Sequence, residues 1–288
     1  MTFIAARLPL YASLTRLDKP VGTLLLLWPT LTALWIAADG TPSALLVAVF
    51  VTGTLLMRSA GCAVNDAADA NYDAHVKRTA DRVVARGLVG RREAIAVAAA
   101  LAACAALLLP LLNAAAVQLA FIAVAIAATY PLAKRFVPIP QLYLGVAFSF
   151  GIPMAFAAVS GAVPAVGWLL MFANAFWVIA YDTEYAMVDR DDDLRLGLKS
   201  SAIFFGRFDV LAVMASYGAF LALLVLIGNM INAGWPFYAG CAVVAALAGY
   251  HFLLIRDRSR EGCLRAFKHN NWAGAAVFAG TVLDHALS

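Results

Sequence analysis

The string NDAADANYD carries an asparagine and three aspartates at Asn65, Asp66, Asp69 and Asp73. On a helix these four fall within an arc of about 100°, and the three spaced by four stack their oxygens along one face. Several carboxylates on one stripe repel one another, and near a membrane they are also costly to desolvate. A hard divalent cation such as Mg²⁺ takes oxygen ligands and removes that cost. A second acidic run, YDTEYAMVDRDDD, supplies Asp182, Asp189, Asp191, Asp192 and Asp193. If one helix runs through it, Asp182, Asp189 and Asp193 align within about 40°, Asp191 points the opposite way and Asp192 is intermediate. Asp182 is then either a third ligand or an outer partner. Two such stripes, far apart in sequence, suggest facing halves of one site.

Basic residues accompany the acids. Arg16 and Lys19 stand in RLDKPVGTLLLLWPT, Arg82 and Arg86 follow Asp73, Lys134 follows Tyr130 by four with Arg135 beside it, and Lys199 follows the second run. A diphosphate bridged by metal leaves oxygens that the metal does not reach, and Arg and Lys suit them. The expected metal ligands are Asn65, Asp66, Asp69, Asp73, Asp189 and Asp193. The expected diphosphate ligands are Arg16, Lys19, Arg82, Tyr130, Lys134 and Lys199. The competing explanation is topological: any of these bases can simply mark a cytoplasmic loop, as Arg91, Arg92 and the basic residues of 256–268 are expected to do.

These clusters need a membrane scaffold. Of 288 residues, 64% are hydrophobic and only 13% charged, with a mean hydropathy of +0.84. Soluble domains are nearer half apolar and about a quarter charged. Apolar runs at roughly 20–38, 43–64, 93–110, 114–131, 140–158, 165–183, 209–228, 235–255 and 271–287 predict an all-α integral membrane bundle of about nine spans in a single domain, 1–288. Asp39-Gly40-Thr41-Pro42, Ser160-Gly161 and Asn232-Ala233-Gly234-Trp235-Pro236 bound several of them. Short connections carry no Lys or Arg and alternate with long ones that carry nearly every positive charge. Positive loops stay inside. The N-terminus and both acidic runs are therefore expected on the cytoplasmic face, and the C-terminus outside.

The remaining chemistry is sparse. Cys62, Cys104, Cys241 and Cys263 show no CxxC pairing, and the four histidines are scattered, so packing thiols are expected rather than a zinc site. The first sixteen residues lack a clear apolar region with a cleavage site, so no cleavable signal is expected. Nothing suggests a nucleic-acid partner.

At the acidic strings the sequence resembles the UbiA superfamily of intramembrane aromatic prenyltransferases. Asn65, Asp66, Asp69 and Asp73 match its NDxxDxxxD motif, Asp189 and Asp193 its DxxxD motif, and Tyr130 and Lys134 its YxxxK motif. The strings 16–30, 181–193 and 197–206 are most similar to members that prenylate 4-hydroxybenzoate in ubiquinone synthesis. Two departures stand out: Val83 occupies a position where the superfamily often has proline, and 185–188 replace a KDIxD string. The resemblance implies a nine-helix bundle in the inner membrane, with the aspartate helices facing across a central cavity and a lateral opening to lipid. It further implies Mg²⁺-dependent attack of the 4-hydroxybenzoate ring carbon ortho to the hydroxyl on a polyprenyl diphosphate. Asp69, Asp73, Asp189 and Asp193 would carry the reaction, and Arg135 could pair with the acceptor carboxylate. Phe148, Phe150, Phe156, Tyr143 and Trp177 could wall off water, though core packing competes for each. Another acceptor (naphthoate, homogentisate or haem) is the nearest alternative.

A transporter is disfavoured because the acids lie at one membrane face and no paired mid-span breaks occur. An alcohol phosphotransferase is disfavoured because the glycine and short spacing of its acidic motif are missing.

Overall fold

The structure is a computed structural model. It describes residues 2–288, with side chains for all of them except 2–6 and 131–135. Among the described residues only helices and their connections occur: α1 (Thr2–Leu14), α2 (Val21–Ala37), α3 (Ala44–Asp73), α4 (Arg91–Ala106), α5 (Ala114–Phe136), α6 (Pro140–Ser149), α7 (Gly151–Ser160), α8 (Ala165–Leu196), α9 (Ser201–Phe205), α10 (Asp209–Met230), α11 (Trp235–Ile255) and α12 (Arg260–Leu287). The segments Ala44–Asp73, Arg91–Leu111, Pro140–Ser160, Ala165–Leu196, Ser201–Met230 and Trp235–Ile255 are long and apolar enough to cross a membrane, and Val21–Ala37 and Ala114–Tyr130 are shorter apolar helices. Large apolar side chains point outward from them: Leu107 is 76% exposed, Phe121 65% and Leu211 63%. That surface suits lipid, where every backbone polar group must be satisfied within the helix. The protein is an integral membrane helical bundle.

Local chemistry sets the helix ends. The hydroxyls of Ser43, Ser200 and Ser259 accept hydrogen bonds from the amides of Leu46, Ile203 and Gly262, capping α3, α9 and α12. Gly161 and Gly197 end α7 and α8 with φ of 76° and 67°, a left-handed region that costs glycine little. Asn113 marks the turn before α5: its Oδ1 accepts from the Ala116 amide while its Nδ2 donates to the carbonyls of Ala157 and Ala158.

Two apolar runs continue further than hydropathy indicated. The run at 43–64 becomes α3, which carries on through Asp73, and the run at 165–183 becomes α8, which carries on through Asp193. Both acidic motifs therefore sit on rigid helix. The run at 140–158 instead breaks into α6 and α7 at Phe150. Pro153 explains the break, since it has no N–H to offer the Ser149 carbonyl. The Ser149 hydroxyl, accepting from Asn174 Nδ2 at 2.8 Å, anchors this bend to α8.

The core gathers around α8, where Trp177, Tyr181, Phe220 and Phe237 are almost wholly buried. A polar knot sits within it. Glu184 accepts from Tyr217 Oη at 3.2 Å and from Asn270 Nδ2 at 2.8 Å, Asn270 Oδ1 accepts from Trp177 and Tyr217, and Tyr217 Oη lies 2.8 Å from His251 Nδ1. It joins α8, α10, α11 and α12 through mutual hydrogen bonds, the condition for tolerating such groups away from water, with His251 Nε2 alone of its ring nitrogens lacking a partner among the described residues. At the α11–α12 contact a Cβ on Gly240 would lie 2.6 Å from the Ala276 carbonyl oxygen, so glycine is required for the approach.

Candidate active site

The C-terminal ends of α3 and α8 meet. Asp69 and Asp73 from α3 and Asp189 and Asp193 from α8 line one cleft, together with Tyr72, Val76, Arg78, Thr79, Arg82 and Leu198. The two acidic stripes face one another as their spacing predicts. Asp69, Asp73 and Asp189 are buried and Asp193 is half-buried.

Three arginines hold the acids. Arg82 Nη1 donates to Asp73 Oδ2 at 2.7 Å and lies 3.2 Å from Asp66 Oδ1. Arg16 Nη2 reaches both oxygens of Asp66, at 2.9 and 3.0 Å. It does so from a backbone with φ of 58°, unusual for a residue with a Cβ and worth its strain where a side chain must be aimed. Asp66, 2% exposed, is thus enclosed by two guanidiniums and is not among the residues lining the cleft. Asn65 is half-buried on the same helix. Arg78, in the segment after α3, donates through Nε to both oxygens of Asp189 at 3.0 Å. Burial alone would lower the Arg78 pKa, but Tyr185 and Asp189 beside it outweigh that and raise it, so the guanidinium stays charged.

The other expected residues are placed as follows. Lys19 is exposed and away from the cleft lining. Tyr130 is half-buried, its ring stacked on Tyr143 at 6.5 Å. Lys134 and Arg135 belong to α5, but their side chains lie outside the described residues. Lys199 donates to the Phe136 carbonyl at 3.2 Å, tying the segment after α8 to the end of α5. Of the second acidic run, Asp182 is half-buried, Asp191 is largely exposed as its helical position predicts, and Asp192 is buried against Arg260 at 2.9 and 3.2 Å. Phe150, Phe156 and Trp177 are core residues, while Phe148 remains half-buried.

Two residues join the candidate set from the structure. Arg78 reads in sequence as one more positive loop charge, and its partner lies 111 positions away. Arg58 sits within α3, seven residues before Asn65 and so roughly 10 Å deeper. Its guanidinium lies 5.6 Å from the Phe148 ring. A Cβ on Gly22 would come within 2.5 Å of its Nη2, so glycine leaves the space it fills. Its Nε, and the Tyr181 hydroxyl, are buried without a hydrogen-bond partner among the described residues. An arginine inside an apolar span, diluted by its neighbours' hydropathy, was the available signal.

The donor chemistry fits a hard cation. Among the described residues no three His, Cys, Asp or Glu side chains form a ready-made metal cage. Mg²⁺ does not require one: it is commonly held by one or two carboxylates, water and phosphate oxygens. Four carboxylates flanked by arginines in one cleft suit such a shared arrangement.

The chain matches the UbiA prenyltransferase family over residues 26–272. It is 60% identical over 282 residues to a 4-hydroxybenzoate octaprenyltransferase of Cupriavidus necator, covering 98% of this chain and 99% of that protein. It is 56% identical over 283 residues to one of Burkholderia pseudomallei, covering 98% and 99%. Among solved structures it resembles the apo form of a UbiA homolog from Aeropyrum pernix K1, with a TM-score of 0.79, 27% identity and coverage of 90% of this chain and 97% of that one. It also shares the fold of a UbiA homolog from Archaeoglobus fulgidus bound to GPP and Mg²⁺, with a TM-score of 0.71, 15% identity and coverage of 93% and 99%. The chain belongs to the UbiA prenyltransferase family.

Proposed function

We propose that this protein transfers a polyprenyl group from polyprenyl diphosphate to the ring carbon ortho to the hydroxyl of 4-hydroxybenzoate, releasing diphosphate, in ubiquinone synthesis. The observation that carries the reaction type is the single cleft shared by Asp69, Asp73, Asp189 and Asp193 with Arg78 and Arg82. The acceptor follows from the full-length similarity to proteins named for that substrate.

Asp69 and Asp73 on one wall and Asp189 and Asp193 on the other would hold Mg²⁺, with Asn65 assisting. Bound Mg²⁺ would draw off the negative charge that grows on the diphosphate as the allylic C–O bond breaks. Asp66, clasped by Arg16 and Arg82, sets those guanidiniums in place. Arg82, Arg78, Lys134 and Lys199 offer cations to the remaining phosphate oxygens. The ring carbon attacks the allylic centre, the diphosphate departs with the bonding electrons, and loss of the ring proton restores aromaticity.

Arg58 is the counter-charge we assign to the acceptor's carboxylate. A guanidinium within the span, without a carboxylate pair among the described residues, calls for an anion from elsewhere. Arg58 shares a helix with Asn65, and Phe148 beside it offers an aromatic face. The isoprenoid chain, being apolar, would enter from lipid.

We further read the chain as one domain with nine spans, counting α6 and α7 together and adding α2, α5 and α12. The alternation of basic and uncharged connections supports a cleft on the cytoplasmic side of a bacterial inner membrane.

The decisive assay uses membranes, labelled 4-hydroxybenzoate and a polyprenyl diphosphate, with product extracted into organic solvent. Wild type should form product with Mg²⁺ and lose it with EDTA. Asp73→Asn and Asp189→Asn should each abolish transfer while the protein remains folded and inserted. Near wild-type turnover in both variants would sink the reading.

A further inference from the structure

The side chain of Arg78 crosses from the end of α3 to α8. Its Nε donates to both oxygens of Asp189 at 3.0 Å, and its Nη1 donates to the Tyr185 hydroxyl. Its guanidinium carbon lies 4.2 Å from the centre of the Tyr185 ring, and that ring stacks on Phe267 of α12 at 4.2 Å and 22°. The backbone beside it is pinned as well, because the Lys77 amide donates to Asp192 at 3.4 Å and Asp192 is clasped by Arg260. Arg82 does not bridge in this way, since both of its acidic partners lie on α3.

This fork engages both Asp189 oxygens, the atoms a divalent cation on α8 would need. Building on the reading of these carboxylates as metal ligands, we propose that Arg78 competes with the cation for Asp189 and yields it only when a diphosphate takes Arg78 over. The charges require the exchange to be concerted. A cation that displaced Arg78 by itself would leave a guanidinium without an anion in a confined cleft and beside a dication, which is unfavourable. When diphosphate enters at the same time, Asp189 gains the metal, Arg78 gains phosphate oxygens, and no charge is stranded. Tyr185 and Phe267 keep the guanidinium plane oriented during the transfer. The consequence is coupling: metal and diphosphate each bind weakly alone and tightly together, by the same factor in either order. A cleft governed in this way does not collect free metal between turnovers.

The test is Mn²⁺ binding, with Mn²⁺ standing in for Mg²⁺ and read by electron paramagnetic resonance on detergent-purified protein, with and without inorganic pyrophosphate. A metal bridged by pyrophosphate gives some coupling in any site, so the variants decide. Arg78→Ala and Arg78→Gln should bind Mn²⁺ without pyrophosphate roughly tenfold to a hundredfold more tightly than wild type, the range expected on losing a charge-assisted competitor. The tightening caused by pyrophosphate should shrink correspondingly. If Mn²⁺ affinity without pyrophosphate is unchanged or weaker in both variants, Arg78 is only a structural tie and the proposal is overturned. Should neither arginine variant fold, Tyr185→Phe removes one hydrogen bond to the guanidinium; a smaller rise in Mn²⁺ affinity supports the exchange and no rise overturns it. Asp189→Asn separates this proposal from the reading beneath it. If Mn²⁺ binding in the presence of pyrophosphate survives that change intact, the metal assignment itself has failed, and the exchange with it. Loss of binding there with no effect at Arg78 removes the exchange alone.

Discussion

Replacing Arg82 with alanine strips a partner from two carboxylates at once. The Asp66 side chain is 2% exposed and that of Asp73 9%, whereas that of Arg82 is 20% exposed. Removing one member of a buried ion pair costs about 3–5 kcal/mol, because a charge is left buried without compensation. Two features reduce that figure here. Asp66 keeps Arg16, and the solvent reaching Arg82 already screens the pair, so a loss of about 2–3 kcal/mol is expected. At roughly 2–4 °C per kcal/mol for a chain of this size class, the melting temperature should fall by about 5–10 °C.

The measurement is a thermal melt of detergent-purified protein without substrate, followed by intrinsic tryptophan fluorescence. The control is Asp66→Asn in the same background. If uncompensated charge causes the loss, the double variant should be less destabilised than the two single changes added together, by about 1–2 kcal/mol. Arg82→Lys, keeping the charge without the fork, should fall between wild type and alanine. An Arg82→Ala melt within about 1 °C of wild type would refute the electrostatic reasoning, because that shift corresponds to less than about 0.5 kcal/mol. Strict additivity in the double variant would show instead that Arg82 acts through packing.

Two further outcomes follow from the geometry. Arg58→Leu should raise KM for 4-hydroxybenzoate by about tenfold or more, the scale of a lost charge-assisted hydrogen bond, and leave KM for the prenyl diphosphate nearly unchanged; equal effects on both substrates in steady-state kinetics would remove Arg58 from the acceptor's side of the site. Asn270→Ala leaves Glu184, Tyr217 and Trp177 without a shared partner in the core, so a loss of about 2–4 kcal/mol is expected, visible as a lower melting temperature with pyrophosphate affinity retained.

Much of this arrangement is legible in the sequence, for identifiable reasons. A long apolar run has few alternatives to a helix in lipid, so the segments fall where hydropathy puts them. The stripe from Asn65 to Asp73 and the pair Asp189 and Asp193 follow from helical periodicity once each helix is allowed to continue. Where hydropathy misleads is at the edge of the apolar layer. It registers the end of lipid contact, not the end of hydrogen bonding, and so stops α3 near residue 64 and α8 near 183. The break at Phe150 is invisible to the apolar average, although Pro153 signals it. Pairings across long sequence separations leave no local trace. Arg78 with Asp189, Arg260 with Asp192 and Glu184 with Asn270 are known only once the bundle is assembled. Arg260 looks topological in sequence and is a structural tie as well.

The placement of the acids also has an electrostatic direction. α3 ends at Asp73, and α8 ends at Leu196 with Asp193 in its last turn. A helix C-terminus carries about half a negative charge from its unsatisfied carbonyls and favours cations over carboxylates. Both acidic stripes therefore occupy the helix ends at which carboxylates are least stable, and both helices turn those ends toward the same cleft. The fold compensates with Arg16, Arg82 and Arg78, one clasping Asp66, one shared by Asp66 and Asp73, and one crossing to Asp189. Among the described residues each of these guanidiniums is committed to a carboxylate, so a diphosphate arriving alone would have to compete with carboxylates for them while meeting the negative ends of two helix dipoles. In company with divalent cations, the carboxylates would gain a replacement partner and the guanidiniums would be released to phosphate oxygens. The arrangement therefore favours a metal-bound diphosphate over an anion arriving alone.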